Sequence, residues 1–461
     1  MKGQVMRIDV LPDDVLLEIF GFHVDIYPGY ENKTGVEAWQ SLVHVCRRWR
    51  NLVFGSPRRL NLGLYCTPET PARDTLDVWP ALPLRIKGGM ALSSGMDNII
   101  AALEQSNRIC QVTLFALMNW QLEKVLAAMQ VSFPELTDLQ LSSHVETLSG
   151  IPFPSSFLDG SAPRLRVLSL SGILFPGLPE LLLSSTHLVY LWLANIPHAG
   201  YISPEAIVAP LSVLSRLEIL SLEFQSPQSR PDWESRSHPP PKRSILPALD
   251  EFHFKGATEY LEELVTRIDT PQIKTLHITF FNQIDFDTPQ LARFVNRTPT
   301  LRALDEAHVQ FHDSTATLKL QYLKSLDNLL ISTSCREPGW QLSSIEQVCT
   351  SSLHPLSTVQ DLYIRHRYSQ VVWKNDTIEN TLWLQLFLPF YAVKNLYLSN
   401  EFAPGIAAGL RELVGITGVL PSLQNIFVEG LGSSGPFQED IGHFVAARQL
   451  SDHPITVSVW E

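Results

Sequence analysis

The sequence predicts an α/β fold in which a small helical N-terminal domain, residues 1–60, precedes a long array of strand–helix repeats, residues 61–461. Three observations predict it. The apolar phrase L-x-x-L-x-L recurs along most of the chain, stretches with helical spacing lie between its copies, and prolines precede many of the copies. The first sixty residues lack the phrase and show two amphipathic helical patterns instead.

The segment LPDDVLLEIF, which begins at Leu11, predicts the first helix. Pro12 suits a first helical position, and the two aspartates that follow it favour the positive end of the helix dipole. Leu16, Ile19 and Phe20 then form an apolar stripe. Two helices this short cannot bury all their apolar surface against each other, so we expect some of it to meet a neighbouring domain or a partner.

A second helix is predicted around the segment VCRRWRNLV, which begins at Val45. Its apolar residues recur at spacings of three and four, so they share one helix face, and the arginines lie largely off that face. The residues on the apolar face are Trp39, Leu42, Val43, Cys46, Trp49 and Val53.

Together, and in this order near the N-terminus, the two segments resemble an F-box over roughly residues 8–57. The resemblance implies docking onto the Skp-type adaptor of an SCF (Skp, cullin, F-box) ubiquitin ligase, and through it onto a cullin. Two features depart from the family pattern: DIYPGYENKTGVE lengthens the turn between the helices, and SPRRLNL lacks the usual closing Leu-Trp pair. The alternative is an ordinary helical hairpin that caps a larger domain. By the resemblance, the adaptor-binding positions are Leu11, Pro12, Leu16, Ile19, Phe20, Val45, Cys46 and Trp49.

Between positions 136 and 301, successive copies of the L-x-x-L-x-L phrase begin 23 to 32 residues apart. This spacing is typical of leucine-rich repeats. Degenerate strands are predicted at LPLRIKG and CQVTLFAL, and a terminal one at ITVSVW. The copy LRALDEAH is weaker, because it places Glu306 at the last apolar position. The copies begin at Leu136, Leu165, Leu188, Leu217, Leu249, Ile273, Leu301, Val359, Val393 and Leu423.

A proline stands two residues before many copies, where it ends the preceding helix and sets an extended entry to the strand. Segments such as EYLEELVTRI and QLARFVNR have helical spacing, so each unit reads helix, proline turn, strand. Stacked units give a solenoid with a parallel sheet on its concave side and helices on its convex side. A β-propeller or a doubly wound domain are the alternatives. The prolines are Pro134, Pro163, Pro247, Pro271, Pro299 and Pro421.

One segment interrupts the repeats. Residues 225–244 are rich in proline, serine and charge and nearly lack apolar anchors, so they predict a disordered insertion between two repeats. A tolerated insertion and a phosphorylated or partner-contacting lid remain the two interpretations.

The composition excludes several function classes. A hydrophobic fraction of 45% is that of a well-packed chain, and a formal net charge of -12 argues against nucleic acid as a partner. The 5 cysteines show neither zinc spacing nor a disulfide pattern, so we expect reduced thiols and no metal. No apolar run approaches the length of a signal peptide or a membrane span, which indicates a cytoplasmic or nuclear protein without a membrane partner.

The sequence offers little for catalysis. GLGSSG, with Gly430, Gly432 and Gly435, follows a predicted strand and precedes a helix, as a dinucleotide-binding loop would. It lacks the acidic residue expected about 20 residues further on. No other enzyme motif occurs, and the 14 histidines do not cluster. We therefore expect no enzyme activity and no cofactor, with a nucleotide-binding enzyme as the weakest alternative.

Substrate is predicted to bind on the open face of the sheet. In an L-x-x-L-x-L strand the leucines point into the core, so the residues between them face outward. Large aromatic side chains at such positions are favoured at protein–protein contacts, although some of them could simply cover the sheet or pack on a C-terminal tail. The predicted substrate-binding residues are Tyr190, Trp192, His253, His277, Tyr363, Tyr397 and Phe427.

These features predict a non-catalytic adaptor that recruits a protein substrate to an SCF-type ubiquitin ligase. In the alternative, the chain is a protein-interaction scaffold outside any ligase and the N-terminal hairpin only caps the repeats.

Overall fold

The chain divides into two compact units, Met1–Leu191 and Trp192–Glu461. No helix of the described residues is long and apolar enough to cross a membrane. The computed structural model describes residues 10–26, 38–56, 60, 62–66, 73, 76–77, 81–89, 95–144, 152–154, 156–231, 242–281, 286–302, 304–322, 328–350, 353–366, 380–412, 419–430, 436–450 and 453–460.

The N-terminal segment forms three helices instead of the two predicted: α1 (Asp13–Ile26), α2 (Ala38–Val43) and α3 (Arg47–Gly55). The predicted second helix is broken because Cys46 is extended, with φ -158° and ψ 169°, and precedes α3 as its N-cap. A turn joins α2 to α3, in which the Val45 N–H donates to the Leu42 carbonyl over 3.4 Å. The break turns Val45 and Cys46 toward solvent.

The three helices share one apolar core with the start of the repeat region. Phe20 packs against Trp49, with ring centroids 4.7 Å apart, and the Trp39 indole N–H donates to the Gly63 carbonyl over 3.0 Å. The predicted domain boundary at residue 60 stays a prediction, but buried residues on both sides of it belong to one cluster. That cluster contains Leu16, Leu17, Phe20, Trp39, Leu42, Val43, Val53, Leu60, Leu62 and Leu82.

In the first unit, parallel strands lie in the order β1-β2-β3-β4-β5, and the unit ends within β6. The burial pattern alternates as the repeat phrase predicts: Leu139 and Leu141 are buried, whereas Gln140 between them is half-buried. The strands are β1 (Leu64–Cys66), β2 (Leu84–Gly88), β3 (Ile109–Leu117), β4 (Asp138–Ser143), β5 (Val167–Ser171) and β6 (Tyr190–Ile196), and the helices are α4 (Met96–Leu103), α5 (Asn119–Ala128) and α6 (Leu178–Ser184).

The second unit continues the strand–helix alternation. Its sheet has the strand order β7-β9-β11-β14-β13-β12-β15-β16-β17-β18, with β8 and β10 as a separate pair. The strands are β7 (Ile219–Phe224), β8 (Ser244–Ile245), β9 (Glu251–Gly256), β10 (Ile268–Asp269), β11 (Thr275–Phe280), β12 (Glu306–Phe311), β13 (Thr315–Gln321), β14 (Leu329–Ser334), β15 (Asp361–His366), β16 (Asn395–Leu398), β17 (Asn425–Glu429) and β18 (Thr456–Trp460). The helices are α7 (Pro204–Leu211), α8 (Thr258–Arg267), α9 (Pro289–Arg297), α10 (Pro338–Thr350), α11 (Asn380–Phe387), α12 (Ala403–Glu412) and α13 (Pro436–Leu450).

The prolines before the strands occupy β-turns. Before β4, the Leu136 N–H donates to the Phe133 carbonyl over 3.1 Å, so Pro134 is the second residue of a four-residue turn. The same bond recurs before β5, from Leu165 to Ala162. Proline favours this position because its fixed φ suits the turn. The turn places the first apolar residue of the copy in the core.

The sheet of the second unit is not wholly parallel, which corrects the prediction. β13 runs antiparallel between β12 and β14 in a meander. The weak copy at Leu301 was placed three residues too early. The strand phrase begins at Leu304, so Ala307 and Val309 take the buried positions and Glu306 lies on the outward face.

The predicted disordered insertion, residues 225–244, is only partly described. Residues 232–241 lie outside the described residues. The flanks are ordered, contrary to the prediction: Ser229 is fully buried in a turn, Arg230 pairs with Glu259 at 3.3 Å, and Ser244 pairs with Ile268 in the short sheet of β8 and β10.

Candidate protein-binding surfaces

The outward face of the second unit carries four stacked rings, which we call the ring stack: His308, Tyr363, Tyr397 and Phe427. Successive ring centroids are 4.5, 4.2 and 4.6 Å apart, and adjacent rings are tilted by 9 to 11°. Because the ring faces contact each other, a ligand meets mainly ring edges.

Strand register builds this stack. Tyr363 is opposite His308 on one side and Tyr397 on the other, and Tyr397 is opposite Phe427. Adjacent strands lie about 4.8 Å apart, which is close to the separation of stacked rings. Aromatic residues at one repeat position therefore stack once the strands pair in register.

The two phenol hydroxyls of the stack lie near an acidic edge of the sheet. Burial raises the pKa of both phenols, and the nearby carboxylates Glu306 and Asp361 raise them further. Both hydroxyls therefore stay protonated near neutral pH and are available as hydrogen-bond donors.

Below the rings, a polar ladder joins the first outward positions of four strands. The Asn395 amide donates to Asp361 over 2.6 Å, the Asn425 amide donates to Asn395 over 2.8 Å, and the Thr456 hydroxyl donates to Asn425. Each side chain is held by its neighbour, which favours one rotamer for each. This edge of the face is consequently preorganised.

Trp460, at the end of β18, packs edge-on against the stack. Its ring centroid lies 6.4 Å from that of Tyr363 and 5.7 Å from that of Tyr397. The guanidinium carbon of Arg365 lies over two rings, 4.8 Å from the Tyr363 centroid and 4.6 Å from the Trp460 centroid. Part of the predicted aromatic row thus packs on the last strand, as one interpretation of the sequence allowed.

The remaining predicted residues form a second group on the sheet. Trp192 stacks on His253 with centroids 6.0 Å apart, and His253 meets His277 edge-on at 4.8 Å. His253 and His277 are register partners. Tyr190 lies in the first unit, half-buried at an outward position of β6. Whether any of these residues binds substrate stays a prediction.

Sequence reasoning missed His308, which joins the stack from the misplaced repeat. Its Nε2 lies 2.9 Å from the Glu306 carboxylate, and burial lowers the pKa of its imidazole. The signal was present in the phrase LDEAHV, which fits the repeat when counted from Leu304. Polar residues at the intervening positions concealed it.

The N-terminal helices provide the second candidate surface. Val15, Ile19 and Phe22 lie at i, i+4 and i+7 on α1 and are 42, 40 and 68% exposed. Val45, in the turn after α2, is 58% exposed. These apolar side chains face solvent beside a well-packed core, which is the pattern expected of a partner-binding surface.

Only some of the predicted adaptor-binding positions are accessible. Leu16 and Phe20 are fully buried, so they hold the helices together and cannot contact a partner in this conformation. Ile19, Val45, Pro12 and Cys46 are exposed, whereas Leu11 and Trp49 are half-buried against the core. Val15 and Phe22 were missed, although their spacing with Ile19 indicated a second apolar face.

An arginine fixes the start of α1 against α3. Arg48 donates to the Leu11 carbonyl over 2.6 Å and pairs with Asp13. The pair is solvent-exposed, so we expect it to orient α1 more than to stabilise the fold.

A cleft of about 800 Å³ lies in the first unit, at the starting ends of β2 to β5. Several of its arginines have structural contacts: Arg108 donates to the Leu82 carbonyl over 3.1 Å, and Arg164 pairs with Glu135 at 2.5 Å. The sequence patterns did not indicate it. Its charged lining residues are Arg85, Arg108, Arg164, Arg166, Glu135 and Asp138.

Groups that could support catalysis have structural roles where they are described. Glu262 accepts the N–H groups of Gln290 and Leu291 at the start of α9, over 2.8 and 2.7 Å, and Glu263 pairs with buried Arg267 at 2.8 Å. Within the described ranges, no group of three metal-ligating side chains comes together. Gly430 follows β17 with φ +58°, a conformation that favours glycine, whereas Gly432 and Gly435 lie outside the described residues.

Comparisons with known proteins show only weak similarity. No protein-family model matches the chain, and no curated protein matches it. Among solved structures, the chain is similar to the leucine-rich repeat-containing protein LegL7 from Legionella pneumophila, with 14% identity over 83% of this chain and 97% of that chain. The TM-score is 0.28, so the repeat assignment rests on this chain's own strands, turns and burial pattern.

Proposed function

We propose that this chain is a non-catalytic adaptor of an SCF-type ubiquitin ligase. In this proposal the N-terminal helices dock onto a Skp-type adaptor, and through it onto a cullin, while the outward face of the repeats holds a protein substrate. The chain supplies proximity and orientation, and a separate conjugating enzyme supplies the ubiquitin.

The observation that carries the proposal is the apolar outer face of α1, formed by Val15, Ile19 and Phe22, in a segment that resembles an F-box. Helices that merely cap a repeat array have no need for large apolar side chains on their solvent side. Buried Leu16 and Phe20 support the proposal indirectly, because they fix the helix that presents this face.

Co-purification with a Skp-type adaptor tests the docking step. We expect the double variant Ile19→Glu/Phe22→Glu to fold and to lose the adaptor, because two desolvated apolar contacts would each be replaced by a charge. The matched control is Val131→Glu/Val213→Glu, which changes valines that are 52 and 41% exposed at other sites. A folded double variant that still co-purifies would refute the docking surface.

A second candidate function is a protein-interaction scaffold outside any ligase. The ring stack and the polar ladder favour it, because they offer a preorganised surface that does not depend on the helices. Wild-type protein that binds partners through this face but fails to bind a Skp-type adaptor would support the scaffold.

A further inference from the structure

Arg365 holds an unusual position on the outward face of the second unit. It lies near the end of β15, opposite Gln310, and its guanidinium rests over the rings of Tyr363 and Trp460 at 4.8 and 4.6 Å. Two aromatic rings therefore restrict this side chain and remove part of its hydration.

Within the described part of the chain, the guanidinium has no anionic partner. No carboxylate there lies within ion-pair distance of Arg365, and its buried Nε finds no acceptor. Two other arginines of this unit that are buried or half-buried differ: Arg267 pairs with Glu205 and Glu263, and Arg297 pairs with Asp269. A positive charge that is partly desolvated and unpaired is costly unless a ligand completes it.

The charges on this part of the face are separated along the strands. Lys319 lies opposite His308. Burial is the main cause that lowers the pKa of this histidine, Glu306 raises it, and the positive charges of Arg365 and Lys319 lower it further, so both cations lie near this end of the stack. The acids Glu306 and Asp361 lie at the starting end of β12 and β15. Asp361 and Arg365 are four positions apart, roughly 13 Å of extended strand.

We infer that Arg365 is the anchor for an aspartate or glutamate side chain of a bound peptide segment. This inference rests on the proposed use of the outward face for substrate binding. A guanidinium presents paired N–H donors that match a carboxylate, and the positive ring edges of Tyr363 and Trp460 favour an acceptor beside it. The exposed Glu429, opposite Trp460 in the sheet, makes no ion pair with Arg365.

A single carboxylate on a peptide suits this site better than a polyanion. Glu306 and Asp361 lie on the same face, and the chain carries a net charge of -12, so a nucleic acid would be repelled where a peptide with one acidic residue would not. The hydroxyls of Tyr363 and Tyr397 can hydrogen-bond the peptide backbone beside the acidic residue.

Peptide arrays test the inference. Purified full-length chain is applied to randomised nonapeptides that contain no acidic residue except at the central position, which is Glu, Asp, Gln, Asn or phosphoserine. We expect roughly tenfold stronger retention on Glu and Asp than on Gln and Asn, the factor that one charge-assisted hydrogen bond provides. Equal retention on acid and amide would refute the inference and leave the proposed function standing.

Variants locate the effect. Arg365→Gln should abolish the preference for acid over amide, Arg365→Lys should keep part of it, and Arg293→Gln, an exposed arginine on α9, should keep all of it. Circular dichroism confirms the fold of each variant. If folded Arg365→Gln keeps the preference for acid over amide, the acidic side chain of the peptide binds to another cation and the inference is wrong.

Two other outcomes also decide the question. Retention on phosphoserine at least tenfold above glutamate would overturn the carboxylate assignment in favour of a phosphorylated segment. No retention on any peptide would overturn the inference together with peptide binding by this face. Docking onto the Skp-type adaptor is judged separately by co-purification.

Discussion

The outer face of α1 and the ring stack of the second unit expose apolar side chains in opposite ways. On α1, the side chains of Val15, Ile19 and Phe22 extend into solvent. In the stack, Tyr363 and Tyr397 are held by each other at 4.2 Å and are only half-exposed. The first arrangement is typical of a surface that a partner covers over its whole area, whereas the second presents ring edges and hydroxyls on a rigid base.

This difference shows that an aromatic residue on the outward face of a repeat can stabilise the fold and also contact a partner. A face of isolated side chains loses little stability when one is removed, because each contacts mainly water. A stack loses the contacts on both sides of the removed ring. Stability measurements therefore separate the two kinds of surface before any partner is known.

The largest expected effect comes from the buried side of α1. Phe20→Ala should lower the free energy of unfolding by about 3–5 kcal/mol, because the fully buried ring contacts Trp49 and leaves a cavity. Ile19→Ala, one residue earlier and 40% exposed, should cost within about 1 kcal/mol. Urea unfolding of both variants measures the contrast. Similar costs would mean that the orientation of α1 is wrong.

The next effect tests whether the rings are cohesive. Tyr397→Ala should cost about 1–3 kcal/mol, because it removes stacking against both Tyr363 and Phe427. Tyr391→Ala is the control, since that tyrosine is 57% exposed outside the stack and should cost about 0.5 kcal/mol or less. If the two variants unfold at the same urea concentration, the stack contributes no cohesion.

A smaller effect separates the hydroxyl from the ring. Tyr363→Phe keeps the stacking and removes only the partly buried hydroxyl beside Tyr397, so it should cost about 0.5–1.5 kcal/mol. Tyr322→Phe, at a tyrosine that is 50% exposed, should be neutral. Thermal or urea unfolding of the pair gives the difference. A neutral Tyr363→Phe would show that the rings alone hold the stack.

The smallest effect is a pH dependence at one end of the stack. Burial lowers the pKa of His308 below the usual value of 6.5, so the folded state favours the neutral imidazole. Its contribution is complete above pH 6.5 and is lost as the pH falls toward the folded-state pKa. Wild type should therefore lose more stability between pH 7.5 and 5.5 than His308→Gln does. Equal losses in urea midpoint would contradict the assigned burial.

Local pattern was sufficient for most of the repeats. At Leu139 and Leu141 the alternation of apolar and polar residues predicted both the strand and its buried side, because side-chain direction in a strand follows directly from position. The proline turns are equally local, since Pro134 acts within a four-residue turn. Each of these features depends on neighbours in the chain.

The sequence pattern did not determine the structure where two arrangements fit the same residues. The first helix has two apolar faces, one with Leu16 and Phe20 and one with Val15 and Ile19, and the sequence does not say which one meets the core. The weak copy at Leu301 offered two registers, and only pairing of β12 with β13 and β15 selected the one that places His308 in the ring stack.

The sequence by itself determined the repeat units, their buried leucines and the outward positions of Tyr363, Tyr397 and Phe427. The tertiary structure decided which of those positions touch. Arg365 rests on Trp460, and Tyr363 stacks between His308 and Tyr397, only because strands far apart in the chain pair in one register. Side-chain direction is a local property of the backbone, whereas strand pairing and helix orientation depend on long-range packing.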